Sequence, residues 1–234
     1  MDTVVEFKGV AKQYGNLPVL EDINLSVGQD DFMVIYGLPS SGKTVLLRLL
    51  MGLEDPDAGD IILRGENVRH MPPKIRNIGY VPQDFALIPH KTIYENIAYP
   101  LRLMKKSTRE IKPVVERAAS MLSIEALLDK LPTQLSGGQK QRVAVARGIV
   151  KETQIYLFDD PLAGLDFKLR EKLIDDLRRL QEDLMVCFIY ASSDPIESLT
   201  LAARIAVLHE KTIREIGEPQ SIYLHPHHLS TIDI

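Results

Sequence analysis

This sequence predicts an α/β fold, and three observations carry that expectation. Phe32-Met33-Val34-Ile35-Tyr36 is a short apolar run typical of a buried strand. It leads through a Gly/Ser-rich loop into Val45-Leu46-Leu47-Arg48-Leu49-Leu50-Met51, which reads as a buried helix. A second short strand, Ile155-Tyr156-Leu157-Phe158-Asp159, ends in a carboxylate. Finally, Leu169, Leu173, Leu177, Leu180 and Leu184 recur at spacings of three and four with charges between. They describe an amphipathic helix over 168–184 that covers one face of a sheet.

The remaining elements follow in chain order. Residues 3–36 alternate apolar and polar through Val5, Phe7, Val10, Leu20, Ile23, Leu25 and Val27, which reads as antiparallel strands. Ile61-Ile62-Leu63 and Ile78-Gly79-Tyr80-Val81 are further short strands. Over 92–131 the pattern becomes helical. Ser107-Thr108-Arg109-Glu110 offers a capping box, and Pro113 would disturb that helix if it lies beyond the first turn. Met185–Ala191 and Arg204–Leu208 read as strands. Between them Asp194 is placed to cap a helix with Pro195 as its first residue.

Composition narrows the function classes. The chain has 234 residues, 45% hydrophobic, enough for one large domain or a domain with a lobe. A net charge of −4 with dispersed lysines and arginines gives no nucleic-acid surface. No apolar run reaches the ~20 residues of a membrane span, and the longest, Leu184–Ala191, reads as a central strand. The N-terminus lacks a basic region and a signal-peptide core. The single cysteine, Cys187, rules out a disulfide framework and reads as a core thiol. A cytosolic chain that meets a membrane only through partners is expected. His225, His227 and His228 read as a solvated tail rather than a metal site.

Two motifs bind phosphate by their chemistry. Gly37-Leu38-Pro39-Ser40-Ser41-Gly42-Lys43-Thr44 fits G-x-x-x-x-G-K-[ST] between a strand and a helix, the context that pattern requires. Its backbone N–H groups wrap phosphates, Lys43 reaches the outer oxygens, and Thr44 offers a hydroxyl to Mg²⁺. Downstream, Leu135-Ser136-Gly137-Gly138-Gln139 opens an amphipathic helix. Its glycines allow close backbone approach to an anion, Ser136 adds a hydroxyl, and the helix N-terminus adds unpaired N–H groups.

The order of these motifs with Asp159 resembles the ATP-binding cassette (ABC) ATPases over essentially the whole chain. That resemblance implies ATP and Mg²⁺ as ligands. It makes Asp159 the Walker B aspartate, with Thr44, Gln83 and Asp159 around the metal. Gln83, in Tyr80-Val81-Pro82-Gln83-Asp84, matches the Q-loop that senses the metal and the attacking water, and Tyr14 matches the aromatic that stacks on adenine. Asp166 matches a loop that crosses a dimer interface. The implied architecture is a RecA-like P-loop NTPase core with an antiparallel β subdomain, over 1–85 and 152–218. An α-helical signature subdomain spans 86–151, and 219–234 begins a further C-terminal region. Ser136, Gly137, Gly138 and Gln139 would close over ATP held by a second ATPase subunit, identical or not, and transmembrane permease subunits would complete the assembly at the inner face of the cell membrane.

Within the family, Gly79–Gln83, Ala86–Ile97, Leu199–Val207 and Gly217–Tyr223 resemble carbohydrate-importer ATPases, so import of a sugar or polyol is the expectation. The C-terminal regulatory β-domain of those proteins does not follow, which implies a shortened or naturally short subunit. Three positions depart from the pattern. Asp160 stands where a glutamate is usual, one methylene short, and a misplacement of about 1 Å costs about 10²-fold. Ser193 stands where a histidine contacts the γ-phosphate. In the phosphate loop, Pro39 removes an N–H donor, and Ser40 is strained if its φ is positive. Together these changes imply retained ATP binding with weakened hydrolysis at Asp160, Gln83 and Ser193. The alternative to a self-sufficient ATPase is therefore a subunit that completes the active site of its partner.

Overall fold

The computed structural model describes residues 2–163, 165 and 167–224. Asp166 and the three C-terminal histidines lie outside the described residues. Two sheets organise the chain. The first is antiparallel and contains β1 (Thr3–Tyr14), β2 (Leu17–Gly28), β4 (Ala58–Leu63) and β5 (Glu66–Asn67), in the order β2-β1-β4-β5. The second contains β3 (Phe32–Tyr36), β6 (Gly79–Val81), β7 (Ile155–Asp159), β8 (Cys187–Ser192), β9 (Arg204–His209) and β10 (Thr212–Gly217). Its order is β10-β9-β3-β8-β7-β6, and every pairing except β10 with β9 is parallel.

The helices are α1 (Lys43–Met51), α2 (Pro73–Arg76), α3 (Ile93–Leu103), α4 (Thr108–Met121), α5 (Gly137–Ile149), α6 (Phe167–Leu184), α7 (Pro195–Leu201) and α8 (Pro219–Leu224). The α/β class expected from the sequence is observed. One detail differs within 3–36: β3 leaves the antiparallel sheet and pairs in parallel with β8 and β9. All five of its residues are buried, so it carries no polar alternation and needs cover on both faces.

That cover divides the core in two. Val34, Tyr36, Tyr156, Phe158, Phe188 and Tyr190 point to the side occupied by the helical region. Met33, Ile35, Ile155, Leu157, Cys187, Ile189 and Ala191 point to α1 and the antiparallel sheet. The period-two alternation of the strands thus serves two apolar faces rather than one. Phe188 anchors the first face, with ring centroids 4.8 Å from Phe158 and 5.5 Å from Phe32. Cys187 is fully buried in the second, and burial pushes its thiol far up, so it is an inert core group.

Helix boundaries follow their capping chemistry. Ser107 and Glu110 form the expected capping box on α4. Pro113 lies beyond the first turn, yet α4 continues to Met121. One ladder bond is lost there, and burial of Ile111, Val115, Ala118 and Ala119 offsets it. Asp194 caps α7 through Ile196 and Glu197, with Pro195 at the first position. Met185 is not part of a strand: it is exposed, with φ 49°, in the turn that ends α6.

Topology brings the carboxyl ends of four neighbouring parallel strands together. β3 runs into the phosphate loop, β8 into Ser193, β7 ends at Asp159 and β6 leads to Gln83. Register aligns them, with Tyr36 opposite Ser192, Asp159 opposite Ala191 and Val81 opposite Phe158. Ligands of parallel sheets bind at this edge.

Candidate nucleotide site

A cavity of about 470 Å³ lies at that edge, lined by Tyr14, Pro39, Ser40, Ser41, Gly42, Lys43, Thr44, Gln83, Asp159, Asp160 and Ser193 among others. The structure therefore gathers the expected phosphate-loop, Walker B, Q-loop and adenine-stacking positions around one space. Gly37 sits behind it, buried, with its N–H donated to the Ser192 carbonyl at 3.2 Å. A cavity of similar size, about 440 Å³, lies between α4, the end of α5 and the start of β7. It lacks the phosphate loop, Asp159 and Asp160, so chemistry rather than size singles out the first cavity as the candidate nucleotide site.

The loop is built for an anion. Gly42 precedes α1 at φ 106° and supplies no side-chain cap, and the first turn of α1 has no acidic residue. By contrast α3, α4, α5 and α7 all carry side-chain caps. The free N–H groups and positive end of α1 thus point at the cavity without a protein partner. Ser41 Oγ is buried and unpartnered, an orphan that a phosphate oxygen would satisfy. Lys43 is 6% exposed, and its ammonium donates to the carbonyls of Gly37 at 2.6 Å and Leu38 at 3.0 Å. Burial pulls its pKa down, while Asp160 and Asp159 push it back up.

Ser40 adopts φ 66°, the strained conformation its sequence position warned of, and it is exposed. Ser40→Gly should therefore stabilise the chain by about 1 kcal/mol, read as a raised unfolding midpoint. An unchanged or lowered midpoint would contradict the strain.

Thr44 Oγ1 donates to Asp159 Oδ1 at 2.9 Å. The hydroxyl, the carboxylate and nearby Gln83 are all oxygen donors, the set a hard cation prefers. No group of three or more His, Cys, Asp or Glu residues able to hold a metal occurs among the described residues. Thr44 and Asp159 therefore fit a Mg²⁺ that arrives with phosphate oxygens, not one that the protein chelates alone.

The two positions whose departures were expected to weaken hydrolysis touch each other. Ser193 Oγ donates to Asp160 Oδ2 at 3.3 Å. Burial pushes the Asp160 carboxyl up, against Lys43 and the Ser193 hydrogen bond. Asp160 also takes φ 44°, a region Asp tolerates better than most residues. Tyr14 is half exposed at the cavity mouth, its phenol bonded to Glu54 and Lys12 Nζ 5.7 Å from its ring centroid.

The Ser136–Gln139 group is not part of this cavity. Ser136, Gly138 and Gln139 line a separate hollow of about 370 Å³ with Arg142 and Leu169, which shares no residue with the first. Ser136 caps α5 through the Gln139 N–H, and Gln139 Oε1 accepts from the Ser136 N–H at 3.0 Å. Ser136 and Gly137 are exposed, whereas Gly138 packs so closely on Leu169 that a Cβ would lie 2.2 Å from it.

Several organising residues escaped sequence reasoning. Tyr80 OH donates to Asp159 Oδ2 at 3.0 Å. Glu197, 1% exposed, accepts from Tyr190 and Ser192 and pairs with Arg170, which also pairs with Asp194. Arg147 donates to the Phe85 and Ala86 carbonyls beyond Gln83. Asn96, fully buried, holds the 88–92 loop through the Ile88 N–H and the carbonyls of Ile88, Lys91 and Thr92. The Tyr80 and Arg147 contacts join positions 79 and 61–62 residues apart, and those of Asn96 and Glu197, though mostly nearer in the chain, follow no periodic pattern. Asn96→Ala would remove the partner of the half-buried Ile88 N–H and the amide's donations to the loop carbonyls, and should cost about 1–3 kcal/mol. A denaturation midpoint within error of the parent would refute that role.

Comparison with known proteins extends these observations. A family model described as ABC transporter matches residues 20–163. The spermidine/putrescine import ATP-binding protein PotA of Haemophilus influenzae Rd is 42% identical over 226 residues, 97% of this chain and 61% of that protein. The protein of the same name from Legionella pneumophila strain Paris is 39% identical, over 97% and 62%. The chain thus spans about three fifths of the length of these relatives. Among solved structures, cbiO1 from Clostridium perfringens, described as part of the ABC transporter complex cbiONQ, superposes with a TM-score of 0.88 at 26% identity, covering 96% of this chain and 92% of that one. The ATP-binding cassette MJ0796, solved as a dimer in a post-hydrolysis state with ADP and Pi, gives 0.82 at 30% identity, covering 92% and 98%.

The resemblance to carbohydrate importers is corrected here, because these relatives carry polyamine-import names. The segments behind that expectation form β6 with the Gln83 loop, the 86–97 stretch that leads into α3, the end of α7 with β9, and the end of β10 with α8.

Proposed function

This chain belongs to the ABC transporter family and has the ABC ATPase fold, and on that premise we propose that it is the ATP-binding subunit of an importer with a polyamine-class cargo. The observation that carries nucleotide binding is the uncapped N-terminus of α1, with Lys43 and the orphaned Ser41 hydroxyl set above the Thr44–Asp159 pair. Tyr14 offers a ring to adenine. The α1 N–H groups and Lys43 hold the phosphates. Thr44 and Asp159 hold the cation that accompanies them, which when bound neutralises phosphate charge. Gln83 lies at the start of the helical region and joins its position to the site.

Hydrolysis at this site is weak in this reading. Asp160 is a short carboxylate tied to Ser193, and serine cannot supply the reach or charge of a histidine. The signature loop is intact, and its exposed Ser136 lies outside this chain's own cavity. It acts on nucleotide held by a second ATPase subunit, with permease subunits docked near Gln83 and Ile88–Tyr94. The 1–85 plus 152–218 core and the 86–151 lobe are the two bodies that move in this scheme. The chain sits at the inner face of the membrane, held there by those subunits; no described helix is long and apolar enough to cross it.

The test has two arms. The isolated chain should bind Mg·ATP by calorimetry yet turn it over slowly. Reconstituted with its permease and second ATPase, it should support ATP-dependent uptake of labelled spermidine that excess sugar does not reduce. Family-typical turnover by the isolated chain would defeat the weak-site reading. Competition by sugar alone would defeat the polyamine assignment.

A further inference from the structure

We propose that Tyr80 is a positioning residue that fixes the plane of the Asp159 carboxylate through its phenol. The proposal rests on the nucleotide-binding reading above and names a group within that site.

Asp159 is 4% exposed at the end of β7, and each of its oxygens has one side-chain donor. Thr44 Oγ1 serves Oδ1 at 2.9 Å from the first turn of α1, and Tyr80 OH serves Oδ2 at 3.0 Å from β6. The two donors come from different elements. The torsion that turns a carboxylate about its last bond is broad and roughly two-fold. A single donor leaves that plane free to pivot, whereas two donors on different oxygens define it.

Tyr80 is held where this requires. It lies opposite Leu157, two positions before Asp159 on the adjacent parallel strand, and its ring packs on the core cluster that includes α1. Gln83 follows three residues later, so β6 and its exit loop supply two groups to one site.

Removing the hydroxyl would leave Oδ2 of a buried carboxylate without a donor. The consequence should appear only when the carboxylate is needed to hold the cation. Nucleotide affinity measured with excess EDTA reports the phosphate loop alone, and the gain on adding Mg²⁺ reports Thr44 and Asp159. Tyr80→Phe keeps the ring and its packing.

Calorimetry on the full chain with ATP should show Tyr80→Phe lowering the Mg²⁺-dependent gain about 3–10-fold, with EDTA affinity unchanged. In an Asp159→Asn background the same substitution should have no further effect on that gain, because it acts through the carboxylate. An undiminished gain in Tyr80→Phe overturns the proposal, as does an equal loss in EDTA or full additivity with Asp159→Asn. A parent chain that binds no ATP overturns the nucleotide reading and the proposal with it. A parent with a clear Mg²⁺ gain beside an unaffected Tyr80→Phe overturns the proposal alone.

Discussion

Replacing Lys43 with alanine is expected to weaken ATP binding about 100-fold. The Lys43 ammonium is buried at the loop and donates to two backbone carbonyls. Those carbonyls mark where an ammonium is held in wait for phosphate oxygens. Charge-assisted contacts to phosphate contribute about 3 kcal/mol together, which corresponds to roughly two powers of ten in affinity. The fold should survive, since alanine relieves the desolvation that depresses the Lys43 pKa. Calorimetric titration of both forms with Mg·ATP measures the difference. Equal affinities would remove the phosphate loop from the account.

The second large effect is a gain. Asp160→Glu together with Ser193→His should raise the turnover of this chain's own site by about 10²-fold, and by more than the product of the single changes. Acid–base groups of this kind contribute about 10²–10⁴-fold when correctly placed. The two positions already touch at 3.3 Å, so their effects couple. A cost accompanies the repair, because Glu tolerates φ 44° less readily than Asp. Steady-state phosphate release by the four variants decides the matter. Additive or absent gains would mean that these positions do not limit hydrolysis.

Much of the nucleotide site was legible because its chemistry is local. Gly37 to Thr44 is one continuous stretch between a strand and a helix, and the strain at Ser40 followed from residue type alone. The caps at Ser107 and Asp194 were equally visible, each written within three or four residues. What escaped depends on contacts across the chain. Tyr80 and Asp159 are 79 positions apart. Arg142 reaches Asp176 from α5 to α6 at 2.7 Å, and no periodicity marks either residue. The parallel placement of β3 was missed because its continuous apolar run was read together with the alternating residues before it, although such a run marks a strand covered on both faces. Pro113 looked like a break in α4 because propensity was visible and the burial offsetting it was not. Cargo lay furthest out of reach: the sugar expectation rested on segments at β6, at 86–97, at α7–β9 and at β10–α8, while the matching relatives carry polyamine-import names.

The central claim is that this chain's signature loop acts on nucleotide held by another subunit. Ser136 is exposed and lines a hollow separate from the phosphate cavity. A Ser136→Arg substitution would place a long side chain where a partner's γ-phosphate must fit, without approaching Lys43 or Thr44 of its own chain. The decisive measurement is ATP turnover of the assembled transporter carrying this change, beside Mg·ATP affinity of the isolated variant. The account predicts turnover reduced to background with affinity within about twofold of the parent, well inside the 1.4 kcal/mol of a tenfold change. Turnover that survives, or an isolated affinity that collapses, would contradict it.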